Sequence, residues 1–390
     1  MSSVRQRLGV DRRSLEQRAV LVYGLIGLTL GGLTFYLNVR SGAFGFDFRG
    51  SLWKAGRDIL AGRSPYPPPD PAHLAHAGNA FVYPPLSALV ALPLAALPHT
   101  AAAAIWSLAN CLALMGALWV VGLRQGRCYL LCLASYPVVD SLIVGQLSGL
   151  IALSVAVAWR FRERAVVAGF AAAVAIVLKL LAWPLLVWLL VTRRFKAAAV
   201  CAASTALLLL ASWAAIGFDG LTGYPRLLGA DAAAFQNHSD SVVALLLRAG
   251  FSPAVSRLLA ILAAVAILEL ARRRARTDEP FALALALAAG IVASPIVHAH
   301  YWVVLFVPFA VSRRSASWLW LIPLGFWASP VEPPRHTWQI AVGLALAASA
   351  VLSVRTRRSG SGARRGSRAQ QPETSALSLG EPAVVRELST

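Results

Sequence analysis

Long apolar segments separated by short polar loops recur along the chain from about residue 19 to residue 354. A helix needs roughly 20 mainly apolar residues to cross the hydrocarbon core of a bilayer. The segments that reach or approach this length are 19–37, 101–123, 197–216, 254–271, 280–296 and 338–354.

Shorter or proline-interrupted apolar runs lie between these segments. They are 83–98, 129–143, 147–159, 165–178, 180–192, 299–312 and 317–329. Paired short runs are typical of broken or re-entrant helices around a cavity, where irregular backbone is tolerated. The pattern therefore predicts an all-α, polytopic membrane protein with a bundle of about 12 transmembrane helices.

The composition supports a chain that crosses the membrane many times rather than a soluble domain with a single anchor. Hydrophobic residues make up 58% of the 390 residues and charged residues only 14%, whereas soluble domains carry about 25% charged residues. The net charge of +19 is carried largely by arginines in short loops and in the C-terminal tail, the distribution that sets membrane topology. We therefore expect contact with membrane lipids, including anionic head groups, and no binding of nucleic acid.

The basic loops also divide the chain and give it an orientation. We expect residues 1–18 to be a cytoplasmic N-terminal segment, 19–354 the transmembrane domain, and 355–390 a disordered basic cytoplasmic tail. Because basic loops stay in the cytoplasm, the long polar loop at 38–85 faces outward. The protein is then a multi-pass protein of the plasma membrane with its functional loops on the extracytoplasmic side.

Residues 83–123 set one constraint on this topology. If both 83–98 and 101–123 crossed fully, Arg124 would lie on the outer side, against the distribution of the other basic loops. We therefore expect that one of the two segments does not span the membrane.

The loop at 38–85 is the longest polar interruption before the tail, and it carries Asp47 among aromatic and basic residues. From Asp47 to Leu60 the apolar residues recur at helical spacing, which predicts an amphipathic helix on the outer surface. A carboxylate at its start has two interpretations. It is an N-cap that accepts backbone N–H groups, or a base that takes a proton from an acceptor hydroxyl at the membrane interface. Asp58 is a weaker candidate, since it lies near Arg57 and Arg63.

Lys179 interrupts the long apolar stretch at 165–191. A lysine in the middle of a membrane costs about 2.5–3.5 kcal/mol on insertion scales, so it normally faces a cavity or a partner. The alternative is a lysine at a helix end whose ammonium group extends to the interface. In the functional interpretation, the ammonium contacts an anionic group of a substrate.

Other polar and aromatic side chains in the predicted outward loops could contact a sugar or a phosphate. Amides and imidazoles suit sugar hydroxyls but also satisfy exposed backbone groups in loops. Aromatic rings can stack on a sugar, and they also form belts at membrane interfaces. The candidates are Tyr66, Tyr83, Gln146, Asn237, His238, His298, His300 and Tyr301, with Arg248 as a further cation.

Neither a metal site nor a disulfide framework is expected. All four cysteines lie in apolar context, where cysteine usually acts as a small hydrophobic residue. His298 and His300 alone would leave a zinc ion with too few ligands.

Several short motifs occur in an order that resembles one known family. In the first outward loop they are Asp47-Phe48-Arg49, Leu52-Trp53-Lys54-Ala55 and Ala61-Gly62-Arg63-Ser64-Pro65-Tyr66. Further along come Tyr83-Pro84-Pro85-Leu86, Gly145-Gln146, Ala168-Gly169, Leu178-Lys179 with Pro184, Gln236-Asn237-His238-Ser239 and Ser294-Pro295-Ile296. The series spans roughly residues 45–310. Together it resembles glycosyltransferase family 87, the polyprenol-phosphate-mannose-dependent mannosyltransferases of actinobacteria, which are of the GT-C type.

The resemblance implies a GT-C-like helical bundle with outward-facing loop helices. It also implies inverting, metal-independent transfer of mannose from a polyprenyl-phosphate donor to a lipid- or glycan-linked acceptor. Asp47 would be the general base, and one acid suffices because the polyprenyl phosphate leaves already charged. No metal is then required if cationic side chains balance that charge. Lys179, His300 and Arg248 would contact the donor phosphate. The lipid-linked sugar is a substrate, and no cofactor is implied.

The segment around His300 departs from the family pattern. The family usually shows a Ser-Trp-acid-His-His run, and this chain has Val297-His298-Ala299-His300-Tyr301 instead. His300 matches the first histidine of the family, Tyr301 replaces the second, and His298 takes the tryptophan position. The role of this segment therefore stays open.

Other functions fit parts of the sequence. A transporter or flippase of lipid-linked sugars predicts pseudo-symmetric halves and charges in several central helices, whereas Lys179 is almost alone and no internal repeat is evident. An arabinofuranosyltransferase with a related donor is a second alternative. A non-catalytic scaffold of an envelope complex is a third, should the altered histidine segment have abolished turnover.

Overall fold

The computed structural model describes the backbone of residues 2–328 and 336–355, with side chains from residue 14 onward. Within these ranges the chain is all helical, which confirms the predicted class, and it contains seventeen α-helices. They are α1 (Ser2–Arg40), α2 (Lys54–Leu60), α3 (Pro71–Ala77), α4 (Pro85–Ala91), α5 (His99–Val120), α6 (Gly126–Ala134), α7 (Tyr136–Val144), α8 (Ser148–Arg160), α9 (Ala165–Leu178), α10 (Pro184–Val191), α11 (Phe195–Ala215), α12 (Tyr224–Phe235), α13 (Val242–Arg248), α14 (Pro253–Arg274), α15 (Glu279–Ala293), α16 (Phe306–Ser312) and α17 (Thr337–Val354). The tail predicted from residue 355 lies, apart from Arg355, outside the described residues.

Five helices in these ranges are long and apolar enough to cross a membrane. They are the Ser14–Arg40 part of α1, then α5, α11, α14 and α17. The pair α6 and α7 reaches the same length and apolarity together, but bends by 63° at Ser135, just before Pro137. Pro137 lies in the first turn of α7, where its missing N–H cannot bond back to the last turn of α6, and this accounts for a break here. The remaining apolar helices are shorter, so the count of about 12 spans stays a prediction.

The segment Pro85–Leu94 is one of these short apolar helices. At 1.5 Å per residue its ten residues rise about 15 Å, half of the roughly 30 Å hydrocarbon core. By length, it is therefore the member of the pair 83–98 and 101–123 that does not span the membrane alone. This agrees with the constraint that Arg124 places on the topology.

Two basic loops predicted to share one side of the membrane meet in the structure. Arg162, after α8, lies 3.2 Å from Glu279 at the start of α15, and Arg194, before α11, lies 2.5 Å from Glu163. These ion pairs tie three helix ends together at one end of the bundle. The structure shows that the two loops lie at the same end of the bundle. The assignment of that end to the cytoplasm rests on the charge distribution.

Lys179 lies at a break between two short apolar helices. The α9 helix ends at Leu178, the backbone of Lys179 is extended (φ −153°, ψ 116°), and a 3₁₀ turn at Leu180–Ala182 leads to Pro184 at the start of α10. The turn packs against α15 at Gly290, where an added Cβ would lie 2.3 Å from the carbonyl oxygen of Leu181. Glycine is required at this close approach, and the contact holds the turn that carries the lysine.

The segment from Asp47 to Leu60 is helical, as the sequence predicts, with one difference in geometry. A π-helical segment at Phe48–Trp53 runs directly into α2, and Phe48, Leu52 and Ala55 are buried on one face. The wider π turn is rare and occurs often at functional sites. Asp47 has helical backbone angles, and its side chain makes no capping hydrogen bond. The N-cap interpretation of Asp47 is therefore wrong, because the carboxylate is used elsewhere.

Candidate active site

A buried glutamine connects three of the residues that the sequence singled out. The Oε1 atom of Gln146 accepts hydrogen bonds from the Tyr83 hydroxyl at 3.2 Å and from Lys179 Nζ at 3.5 Å. Its Nε2 atom donates to Oδ2 of Asp47. Gln146 is only 5% exposed. The nitrogen and the oxygen of one amide group therefore contact the Asp47 carboxylate and the Lys179 ammonium, in a site shielded from bulk water.

The glutamine is fixed by the turn that precedes it. Gly145 ends α7 in the left-handed region (φ 81°), and an added Cβ would lie 2.6 Å from Cβ of Phe48. Trp106 donates a hydrogen bond to the Gly145 carbonyl at 2.9 Å, and its ring stacks on Phe48 at 5.1 Å between centroids. Only glycine fits both the φ angle and the contact. The turn thus packs Gly145 against Phe48 and brings Gln146 within hydrogen-bonding distance of Asp47.

The environment of Asp47 gives its carboxyl group a pKa suited to proton transfer. Burial raises the pKa of Asp47 to about 6, and the charge of Asp140 raises it as well. The hydrogen bond from Gln146 and the positive charge of Lys179 oppose these effects and lower the pKa. A base whose pKa lies near the working pH combines an ionised carboxylate with useful basicity.

Lys179 is held inside the protein by aromatic rings. Its Nζ atom lies 3.6 Å from the ring centroid of Tyr301 and 5.4 Å from that of Tyr83, and the residue is 9% exposed. Cation–π contacts of this kind stabilise a desolvated ammonium. The described part of the chain contains no direct ion pair to Lys179. The placement favours a lysine that faces partners inside the protein over a lysine that extends to the interface.

His300 belongs to the same cluster because its ring contacts the ring of Tyr301, which in turn contacts Lys179. Its ring lies 5.0 Å from the Tyr301 ring and 5.6 Å from the His298 ring. The Nδ1 atom lies 2.8 Å from Oδ2 of Asp140, and Ser148 donates to the His300 carbonyl at 3.0 Å. A carboxylate beside one ring nitrogen fixes the tautomer and directs the other nitrogen. The segment 298–301 therefore belongs to the cluster despite its altered sequence.

Tyr66, a predicted substrate contact, lies behind Tyr83 and supports it. The Tyr66 hydroxyl donates to the Tyr83 carbonyl at 2.9 Å. Its ring stacks on Trp213 at 5.1 Å and packs against Phe81 at 5.2 Å. Both the hydroxyl and the ring are thus engaged by the protein, which gives Tyr66 a positioning role.

The candidates Asn237, His238 and Arg248 form a separate group on α13 and the 3₁₀ turn before it. Asn237 and His238 are exposed, and Arg248 donates to the Asn237 carbonyl at 3.3 Å. Ser241, in the same segment, donates to the Pro295 carbonyl at 2.9 Å. The segment therefore lies against the chain just before His298, while its described contacts do not include Asp47 or Lys179.

Two acidic residues of this region were not among the sequence candidates. Asp140 interrupts the apolar helix α7, and Asp231 lies on α12 within electrostatic range of Lys179. An acid inside an apolar segment is a sign of function that the sequence already carried. Asp231 gave no such sign, because α12 is a short helix in a loop region.

The side chains that the structure describes form no group of three or more His, Cys, Asp and Glu that could hold a metal ion.

The family model for glycosyltransferase family 87 matches residues 81–297, more than half of the chain. The matched segment contains Tyr83, Gln146 and Lys179. It begins after Asp47 and ends three residues before His300, so the match covers the middle of the cluster and leaves these two residues outside. Among curated proteins and solved structures, none matches this chain.

Proposed function

The chain belongs to glycosyltransferase family 87, and we propose that this membrane glycosyltransferase transfers mannose from a polyprenyl-phosphate donor to a lipid- or glycan-linked acceptor. The apolar helices and the family support a membrane glycosyltransferase. The finer proposal is supported by one observation. Gln146 contacts both the carboxylate of Asp47, whose pKa is about 6, and the buried ammonium of Lys179. The charge pattern of the loops favours the outer face of the plasma membrane.

In the proposed reaction, Asp47 accepts the proton of the acceptor hydroxyl as the hydroxyl oxygen attacks the anomeric carbon of the donor. The bond between that carbon and the phosphate oxygen breaks, and the polyprenyl phosphate leaves with the electron pair. Attack opposite the leaving group inverts the anomeric configuration. At pH 7 a carboxyl group of pKa about 6 is roughly nine-tenths ionised, so the base is ready to act.

Lys179 contacts the phosphate in this proposal. Its ammonium has three donor positions, and Gln146 takes only one of them. A fixed cation in a water-shielded site stabilises the leaving group as negative charge develops on it. His300, oriented by Asp140, is the second proposed phosphate contact.

Gln146 acts on the base rather than on the sugar. It holds Asp47 and Lys179 in one orientation, and it opposes the rise in the pKa of Asp47 that burial causes. Tyr83 holds the glutamine in place by donating a hydrogen bond from its hydroxyl group to Oε1 of Gln146. These two residues are therefore positioning residues in the proposed mechanism.

The test uses the full chain in lipid nanodiscs with polyprenyl-phosphate-[³H]mannose, and glycolipid extracted from the producing cells as acceptor. Wild-type protein is expected to move label into glycolipid. Lys179→Met should weaken donor binding about 10–100-fold, because a charged hydrogen bond contributes about 1.5–3 kcal/mol. Lys196→Met changes an exposed lysine at the start of α11. It is the matched control and should bind the donor as wild type does.

A second arm replaces the sugar with arabinofuranose on the same lipid. Transfer of arabinose but not mannose would assign the alternative donor. No transfer of either sugar by wild-type protein would contradict the proposed function. Movement of the donor across the bilayer of liposomes without acceptor would favour the flippase alternative.

A further inference from the structure

The helix α12 is anchored directly beside the proposed active site. The hydroxyl of Tyr224 donates to the carbonyl of Val82 at 3.0 Å, next to Tyr83 in the chain. Leu227, one turn later, is buried in a small core that α12 shares with α3. Asp231 follows Tyr224 by seven residues, two helical turns, and therefore projects from the same face of α12.

The charge of Asp231 acts on the residues of the cluster. Burial raises the pKa of the Tyr83 and Tyr224 hydroxyls, and the negative charge of Asp231 raises both further. Lys179 interacts electrostatically with both Asp47 and Asp231. Asp140, and not Asp231, is the acid that raises the pKa of Asp47. Lys179 therefore lies within electrostatic range of two carboxylates, those of Asp47 and Asp231.

The carboxylate of Asp231 is desolvated without a direct protein partner. Burial raises its pKa to about 6, opposed by the charge of Lys179. Within the described residues it makes no hydrogen bond or ion pair. A partly buried carboxylate that lacks a donor loses several kcal/mol of hydration unless a ligand or water supplies one. Asp231 keeps part of its surface exposed, so water or a ligand that enters the site can supply this donor.

The chemistry of the site narrows that partner to a neutral donor of hydrogen bonds. An ionised carboxylate only accepts hydrogen bonds, and it repels a phosphate bound at the neighbouring Lys179. Hydroxyl groups meet both conditions. The rings of Tyr83 and Tyr301 lie beside Lys179, and aromatic surfaces with a few placed polar groups are typical of small-molecule sites.

We infer that Asp231 binds hydroxyl groups of a sugar ring held beside Lys179, as a second carboxylate of the active site with a binding role. The inference rests on the proposed function, since it assigns the sugar that the same site would hold. It separates the tasks of the two acids. Asp47 moves a proton, and Asp231 positions the ring.

The first experiment measures steady-state transfer by Asp231→Ala and Asp231→Asn in the nanodisc assay. Loss of a charged hydrogen bond should raise KM for one substrate about 10–100-fold with a smaller change in kcat. A rise in KM for the lipid donor assigns the donor sugar, and a rise for the glycolipid assigns the acceptor sugar. Asp219→Asn, an exposed acid just before α12, is the matched control and should leave both KM values unchanged.

Two results of this experiment would overturn the inference. One is unchanged kinetics in both Asp231 variants. The other is a fall in kcat as large as that of Asp47→Asn with unchanged KM, which would make Asp231 a proton acceptor. Size-exclusion profiles identify a misfolded Asp231→Ala protein, and the near-isosteric Asp231→Asn then decides.

The second experiment reads sugar binding without turnover. Saturation-transfer NMR with methyl α-mannoside should show binding to wild type and to Asp219→Asn, and at least tenfold weaker binding to Asp231→Ala. Binding by wild-type protein that transfers no sugar would contradict the proposed function and leave the Asp231 site standing. Equal binding by wild type and Asp231→Ala, or binding by neither, would overturn the inference.

Discussion

Replacing Gln146 with leucine should move the pH dependence of transfer without removing the base. Leucine keeps much of the volume of glutamine but cannot donate to Asp47. The hydrogen bond from Gln146 is the largest effect that lowers the pKa of this carboxyl group against burial. Without it, the pKa of Asp47 must rise above its value of about 6.

The size of the shift follows from the strength of the bond. A hydrogen bond to a charged group contributes about 1.5–3 kcal/mol, and one pKa unit corresponds to about 1.36 kcal/mol. The expected pKa of Asp47 in Gln146→Leu is therefore about 7–8. A base works only when ionised, so activity is lost as pH falls through this pKa. A raised pKa moves the acid limb of the profile to higher pH.

The assay is kcat/KM for lipid-linked mannose between about pH 5 and pH 9. Wild type should lose activity below about pH 6, and Gln146→Leu below about pH 7–8, with recovery at the alkaline end. Tyr83→Phe is the control, because it removes a contact to the same glutamine but leaves the bond to Asp47. Its acid limb should stay close to that of wild type. An unmoved acid limb in Gln146→Leu would refute the assignment of Asp47 as the titrating base.

Two further changes test the supports of the site. Asp140→Asn should weaken donor binding about 10-fold or more, because His300 then loses its charged partner and a hydrogen bond to a charged group contributes about 1.5–3 kcal/mol. Unchanged donor affinity would contradict this role. Gly290→Ala should lower the melting temperature in detergent, since the new Cβ meets the Leu181 carbonyl at 2.3 Å and overpacking costs about 1–3 kcal/mol. Gly229→Ala, whose Cβ meets open space, should not lower it, and equal behaviour of the two variants would show that the contact is not tight.

The sequence supports the helical class and the apolar face of the first loop because both rest on local periodicity. Phe48, Leu52 and Ala55 recur at helical spacing, as an amphipathic helix requires, and the structure buries them in the protein core. The π geometry of Phe48–Trp53 leaves no such pattern, since it changes hydrogen bonding and not the order of apolar residues. The use of Asp47 was likewise ambiguous, because an N-cap and a base look alike in a sequence.

The long-range contacts of the site could not be predicted from local patterns. Gln146 lies 99 residues from Asp47, and His300 lies 160 residues from Asp140. Lys179 was predictable because a charge inside an apolar stretch needs a cavity or a partner. The same argument applies to Asp140. Asp231 has no comparable signal, and only the position of α12 beside Val82 reveals it.

The most direct test of the account is single-turnover transfer by Asp47→Asn in protein loaded with lipid-linked mannose. We predict a rate of the chemical step lower by about 10²–10⁴-fold, with donor affinity within about twofold of wild type. Asp58→Asn, an acid on the next helix paired with Arg63, should react at the wild-type rate. A wild-type rate in Asp47→Asn would contradict the account, because the proton of the acceptor would then leave by another route.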